Sequence, residues 1–161
     1  MPEVSVGRTA RGKRVIEAPA GAGMSVSYRE EFAVLAVNRD GEIGADVEVM
    51  RDDLDFLGIA RSCFAPDEVL RLEAADGRRR VEKFFALWTA KEAVLKCWGE
   101  GITGGMDSPC LPDLELGGRA VVEGLEVTVS RGVFAGREVV TAVAAEAQPA
   151  WRACLDRGRD A

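Results

Sequence analysis

One stretch dictates most of what this chain can fold into. From Arg79 to Gly101 it reads Arg-Arg-Val-Glu-Lys-Phe-Phe-Ala-Leu-Trp-Thr-Ala-Lys-Glu-Ala-Val-Leu-Lys-Cys-Trp-Gly-Glu-Gly, with neither Gly nor Pro before Gly99. Val81, Phe84, Phe85, Trp88 and Leu95 recur at spacings of three, four and seven. That period predicts an amphipathic helix. Gly99 suits a C-cap, and Lys96 places a cation in the last turn, where the helix dipole favours it. Glu92 breaks the pattern, standing four after Trp88 and three before Leu95 on the apolar stripe. A carboxylate buried alone costs several kcal/mol or takes up a proton, so a partner is expected from elsewhere in the chain. The simpler reading is a solvated i,i+4 pair of Glu92 with Lys96, worth roughly 0.2–0.5 kcal/mol. The helix taken alone leaves both readings open.

Upstream, Glu42 to Val49 reads as a strand, following Asn38-Arg-Asp-Gly41, a hairpin signal, and a buried-strand candidate from Phe32 to Val37. Asp46 and Glu48 are two apart, so both leave the same face, while Ala45, Val47 and Val49 take the other. Adjacent carboxylates on a half-buried strand repel and need a counter-cation. Near the N-terminus, Val4-Ser5-Val6 and Arg14-Val15-Ile16 are short strand candidates joined by a turn over Thr9 to Lys13. Arg8, Arg11, Lys13 and Arg14 make a basic cluster, either a solvated turn or an anion contact. Ala65-Pro66 opens a second helix. Ala120–Val122, Leu125–Ser130 and Glu138–Ala144 are further strand candidates, and the tail from Gln148 is polar. Strands, helices and then a run of antiparallel strands make an α+β pattern.

Composition narrows the chemistry. The chain has 161 residues, 47% hydrophobic and 30% charged, which suits a soluble globular domain with a real core. A net charge of −6 disfavours non-specific nucleic-acid binding. There is no histidine, which removes Ser-His-Asp and Cys-His catalysis and histidine-ligated zinc. Cys63, Cys97, Cys110 and Cys154 show no C-x-x-C spacing and are expected to be reduced thiols. No run reaches the roughly 20 apolar residues of a membrane span, and the N-terminus lacks a signal-peptide core, so a cytoplasmic location is expected. If the helix packs on the strand of Asp46 and Glu48, Glu92 completes a trio of carboxylates. Such a trio suits a hard cation such as Mg²⁺ that takes phosphate oxygens as further ligands. Lys91 and Lys96, on the same helix, then suggest a polyphosphate or pyrophosphate substrate.

Ile43-Gly-Ala-Asp-Val-Glu48 together with Phe84-Phe-x-x-Trp88-x-x-Lys91-Glu92-x-x-x-Lys96-x-x-Gly99-x-Gly101 resembles the signature of the 4′-phosphopantetheinyl transferases. The spacing is closest to the two-lobed type that activates surfactin synthetase. Gly12-Lys13 is similar to the family's Gly-Lys-Pro turn, with Arg14 for Pro. Met24-Ser-Val-Ser27 is similar to a family strand, with Tyr28 in place of a histidine that contacts coenzyme A phosphates, and Asp107-Ser108 fits the segment after the second motif. About residues 3 to 145 can be laid along the family.

The resemblance implies an α+β transferase fold with antiparallel strands packed on the long central helix. Residues 1–41 would be a truncated N-terminal lobe, 42–148 a complete C-terminal lobe and 149–161 a polar tail. It implies Mg²⁺ held by Asp46, Glu48 and Glu92, and coenzyme A held by Lys13, Ser27, Tyr28, Lys91 and Lys96. Arg8, Arg11 and Arg14, or a second subunit, would stand in for basic contacts of the family's N-terminal segment, which is expected to be largely absent here. Glu92 or Lys96 would take the proton as a carrier-protein serine attacks the β-phosphate, releasing 3′,5′-ADP. The implied partner is an acyl or peptidyl carrier protein, with neither nucleic acid nor membrane, and the shortened first lobe implies self-association. Two alternatives stand beside this one: a diverged relative acting as a binding or assembly protein, and a plain α+β module in which Glu92–Lys96 is only a surface pair.

Overall fold

The computed structural model describes residues 4–10, 12–18, 21–100 and 105–146. Arg11, residues 101–104, Cys154 and the expected polar tail lie outside the described residues. The chain begins with two antiparallel ribbons, β1 (Ser5–Arg8) with β2 (Arg14–Ala18) and β3 (Gly23–Arg29) with β4 (Phe32–Asn38). β5 (Ile43–Val49) follows, then three helices: α1 (Phe56–Cys63), α2 (Pro66–Glu73) and α3 (Gly77–Trp98). An antiparallel meander closes the described chain: β6 (Arg119–Val122), β7 (Leu125–Phe134) and β8 (Arg137–Glu146). Both meander turns are two residues long. Glu123 and Gly124 have φ of 48° and 83°, and Ala135 and Gly136 have 50° and 75°. Positive φ at both central residues is the turn that matches the twist of the flanking strands.

β5 joins this meander at its far edge, in the order β5-β8-β7-β6. The hairpin expected at Asn38–Gly41 is therefore corrected: β5 bonds to β8, and β4 bonds to β3. The reason is local. Gly41 N–H donates to Gly21 O at 2.9 Å, and Gly41 packs so tightly on Gly23 that a Cβ there would lie 2.3 Å from Gly41 O. The chain is thus turned across the start of β3 and away from β4. β3 then runs against the open edge of β5, where Ser25 Oγ accepts from Ala45 N–H at 2.9 Å. That contact satisfies a donor which an edge strand would leave to solvent.

α3 lies across β5, β8 and β7. Fourteen of its 22 residues are buried, among them Lys83, Thr89, Lys91 and Glu92, so it is a core helix and not an amphipathic surface one. The sheet covers one side, through Val127, Val129, Val140 and Ala142. On the other, Phe56 and Phe64 pack on Phe84 and Trp88 at centroid distances of 5.0 to 6.2 Å. Gly99 ends the helix at φ 74°, with its N–H on Lys96 O and Glu100 N–H on Leu95 O, the paired bonds of a Schellman cap. Among the described residues, no helix is long and apolar enough to cross a membrane.

Candidate active site

Alternation along β5 puts Gly44, Asp46 and Glu48 on one face. Gly44 decides what that face meets. A Cβ on it would lie 1.9 Å from Ala93 O and 2.4 Å from Cys97 N, so β5 and α3 touch backbone to backbone. Two residues along, the strand presents Asp46 and then Glu48 to the helix segment carrying Trp88, Glu92 and Lys96. Asp46, Glu48 and Glu92 are only 4%, 8% and 6% exposed.

Cations of the chain meet two of the three carboxylates. Lys96 Nζ donates to Asp46 Oδ1 at 2.6 Å and to Ser27 Oγ at 2.8 Å, and Ser27 Oγ donates to Asp46 Oδ1 at 2.7 Å. Arg29, from the end of β3, brings Nε within 2.7 Å of Glu48 Oε2. That contact is an ion pair without hydrogen-bond alignment, since Glu48 Oε2 still lacks a hydrogen-bond partner. Asp46 Oδ2 and Glu92 Oε1 also lack one. Burial pushes the Glu48 carboxyl up to about 7, the Asp46 and Glu92 charges add to the rise, and Arg29 and a hydrogen bond from Trp88 oppose it. Glu92 is raised in the same direction, first by burial and then by Asp46, with Lys96 opposing.

Three buried oxygens without partners, one on each carboxylate, fit a cation, and an all-oxygen donor set fits a hard one. Among the described residues, no three acidic or thiol side chains converge closely enough to hold an ion as they stand. Like charges in a dry site repel, and Lys96 and Arg29 draw Asp46 and Glu48 onto separate partners.

A cleft of about 340 Å³ opens beside Lys96, and Arg8, Lys13, Arg14 and Tyr28 also line it. Its described lining includes four cations and no carboxylate. Arg14 Nη1 donates to Tyr28 Oη at 3.1 Å, and its guanidinium stands 5.8 Å from the ring centroid. Arg8 bonds to Gly12 O and closes the β1–β2 turn. Lys13 Nζ caps α3 through Cys97 O at 2.9 Å and pairs with Glu42. A larger hollow, about 790 Å³, shares Lys13 and Gly99 with the cleft, but Glu42, Glu123 and Glu146 wall that hollow and make it a poor host for an anion.

Residues 42–144 match the family described as the 4′-phosphopantetheinyl transferase superfamily. The chain belongs to that superfamily. The chain is 39% identical over 92 residues to a Synechocystis sp. protein named for this transferase activity, covering 57% of the chain and 37% of that relative. It is 35% identical over 95 residues to the 4′-phosphopantetheinyl transferase HetI of Nostoc sp., covering 57% and 40%. To the L-aminoadipate-semialdehyde dehydrogenase-phosphopantetheinyl transferase of Eremothecium gossypii it is 30% identical over 167 residues, covering 91% and 58%. The chain thus spans between about a third and three fifths of the lengths of these phosphopantetheinyl transferases.

One residue carried over from the transferase motif does not reach the cleft. Lys91 is fully buried. Its Nζ donates to Glu68 Oε1 at 2.8 Å and to Pro109 O at 2.6 Å, and stands 5.6 Å from the Phe64 ring centroid. Glu68, also fully buried, accepts from Ala65 N–H and Leu111 N–H as well. Lys91 is a structural ion pair between α2, α3 and the 109–111 segment. Five positions separate it from Lys96, and at 100° per residue those two side chains leave opposite sides of the helix. Sequence reasoning missed Arg29, assigned no role to Ser25, and gave neither Gly44 nor Trp88 a part in the site. Ser25 was findable, since it alternates with Ser27 on one face of β3. Nothing in the local pattern marks Arg29, whose role depends on where β3 meets β5.

Proposed function

We propose that this chain transfers the 4′-phosphopantetheine arm of coenzyme A to a serine of an acyl or peptidyl carrier protein, with Mg²⁺ and with release of 3′,5′-ADP. The observation that carries this reading is the adjacency of two things: three buried carboxylates, each with an unpartnered oxygen, and a cleft lined by four cations. Asp46, Glu48 and Glu92 would hold the metal. Bound there, Mg²⁺ supplies charge neutralisation on a pyrophosphate and steadies the leaving group. Arg8, Lys13, Arg14 and Lys96 bind phosphate oxygens as point charges and forks. Tyr28 carries no charge, but it holds Arg14 in the cleft. Ser27 fixes both Asp46 and Lys96. The serine oxygen bonds to the β-phosphorus, the bond to 3′,5′-ADP breaks, and the hydroxyl proton passes to Glu92, directly or through a water. In this reading residues 1–41 belong to a first lobe and 42–148 form the second, and the activity belongs in the cytoplasm with its substrates.

A second reading is a diverged relative that binds without turnover. One observation favours it: Lys96 and Arg29 already stand on Asp46 and Glu48. One experiment separates the two. The purified chain is incubated with coenzyme A, Mg²⁺ and an apo carrier protein, and the carrier's mass is measured. The transferase reading expects the phosphopantetheine mass gain, abolished by Asp46→Ala and by Glu92→Ala in variants that fold by circular dichroism. A folded wild-type chain giving no gain on any of a panel of carriers would establish the second reading.

A further inference from the structure

Arg29 belongs to no motif, yet among the described residues it is the cation paired with Glu48. It ends β3, and the side chain crosses to β5 to reach Glu48 Oε2 at 2.7 Å. The contact is lopsided. The Arg29 side chain is 49% exposed while that of Glu48 is 10% exposed, so the guanidinium can leave for water at little cost and the carboxylate cannot. The contact also lacks hydrogen-bond alignment, which leaves Glu48 Oε2 neutralised but not satisfied. Glu48 faces Asp46 on its own strand and Glu92 and Trp88 on α3. Around Arg29, Glu30 lies on the same turn and is held by Arg137 from β8, with Arg51 close by. Lys96 differs, being locked between Asp46 and Ser27 and lining the cleft.

We infer that Arg29 is a built-in competitor of the divalent cation at Glu48. It neutralises that corner of the site in the cation-free protein and withdraws to solvent when an ion takes the carboxylate. The inference rests on the metal-binding part of the transferase reading. Its consequence is weakened cation affinity, which makes loading of the site depend on the cation concentration and on an anion arriving in the cleft to share the ion.

The test is direct binding of Mn²⁺ to the full chain, followed by the loss of the free-ion electron paramagnetic resonance signal, without coenzyme A or carrier. Arg29→Gln is expected to bind Mn²⁺ about tenfold more tightly than wild type, about 1.4 kcal/mol. Arg29→Lys, which keeps the charge, is expected to stay near wild type. The melting temperature gives a second readout: Arg29→Gln should show a larger Mn²⁺-induced rise than wild type. Asp46→Asn should abolish the tight site in either background. Unchanged or weaker Mn²⁺ affinity in Arg29→Gln, with Asp46→Asn still abolishing binding, overturns the competitor role and leaves the transferase reading standing. Equal Mn²⁺ affinity in wild type, Arg29→Gln and Asp46→Asn overturns both. Arg29 is half-exposed at a strand end, and Arg29→Ala repeats the measurement should the glutamine variant prove unstable.

Discussion

Consider Gly44→Ala, which adds one methyl group to the strand that carries the site. Gly44 matters for its missing Cβ. The new atom would sit 1.9 Å from Ala93 O and 2.4 Å from Cys97 N, both of them backbone atoms of α3. Relief to even a 3.0 Å approach requires α3 to retreat from β5 by about 1 Å, and no side-chain rotation can supply it. Overpacking of this kind costs about 1–3 kcal/mol, and backbone obstacles place this case at the upper end. About 3 kcal/mol is a large share of the roughly 5–15 kcal/mol that holds a domain folded. The same retreat carries Glu92 away from Asp46. Urea unfolding followed by circular dichroism gives the stability, and Mn²⁺ titration of the folded variant gives the site. We expect a destabilisation near 3 kcal/mol and weaker cation binding together. A variant within about 0.5 kcal/mol of wild type, with unchanged cation affinity, would refute the claim that helix–strand backbone contact builds the site.

Two further outcomes follow from the buried charges. Lys91→Met leaves the Glu68 carboxyl in the core without its cation and should cost about 3–5 kcal/mol in urea unfolding; the double variant Lys91→Met, Glu68→Leu should recover part of that loss, and a single variant as stable as wild type would show the pair to be idle. The Glu48 carboxyl, near 4.5 when unfolded and raised to about 7 when folded, binds its proton more tightly in the native state, so its contribution is full below pH 4.5 and disappears as pH rises through 7. Unfolding midpoints measured without divalent cation should therefore fall from pH 5 to pH 8, less steeply in Glu48→Gln, and saturating Mg²⁺ should flatten the wild-type profile.

Much of this protein was legible in its sequence because single elements announce themselves by period. The Val81-to-Leu95 spacing marked α3, and Gly99 marked its end, since only a residue tolerant of φ 74° closes a helix that way at no cost. Alternation placed Asp46 and Glu48 on one face of β5, and the lack of histidine left oxygen and thiolate as the possible metal donors. Period says which side chains share a face; it does not say which element will cover that face. Asn38–Gly41 carried a good hairpin signal, and the contact of Gly41 with Gly21 and Gly23 overrode it. Lys91 and Lys96 looked equivalent as letters of one motif. Packing of α2 beneath one and of β3 and β5 beside the other made the first a structural ion pair and the second a partner of Asp46. Pairing of polar side chains 19 to 69 positions apart, as in Arg29 with Glu48 or Lys96 with Ser27, is set by which layers meet and how close their backbones come. The sequence alone determined the elements and the chemistry available to them, because those follow from local sterics and residue type. Tertiary structure alone decided which charges face one another, because that depends on the packing distance that Gly44 permits.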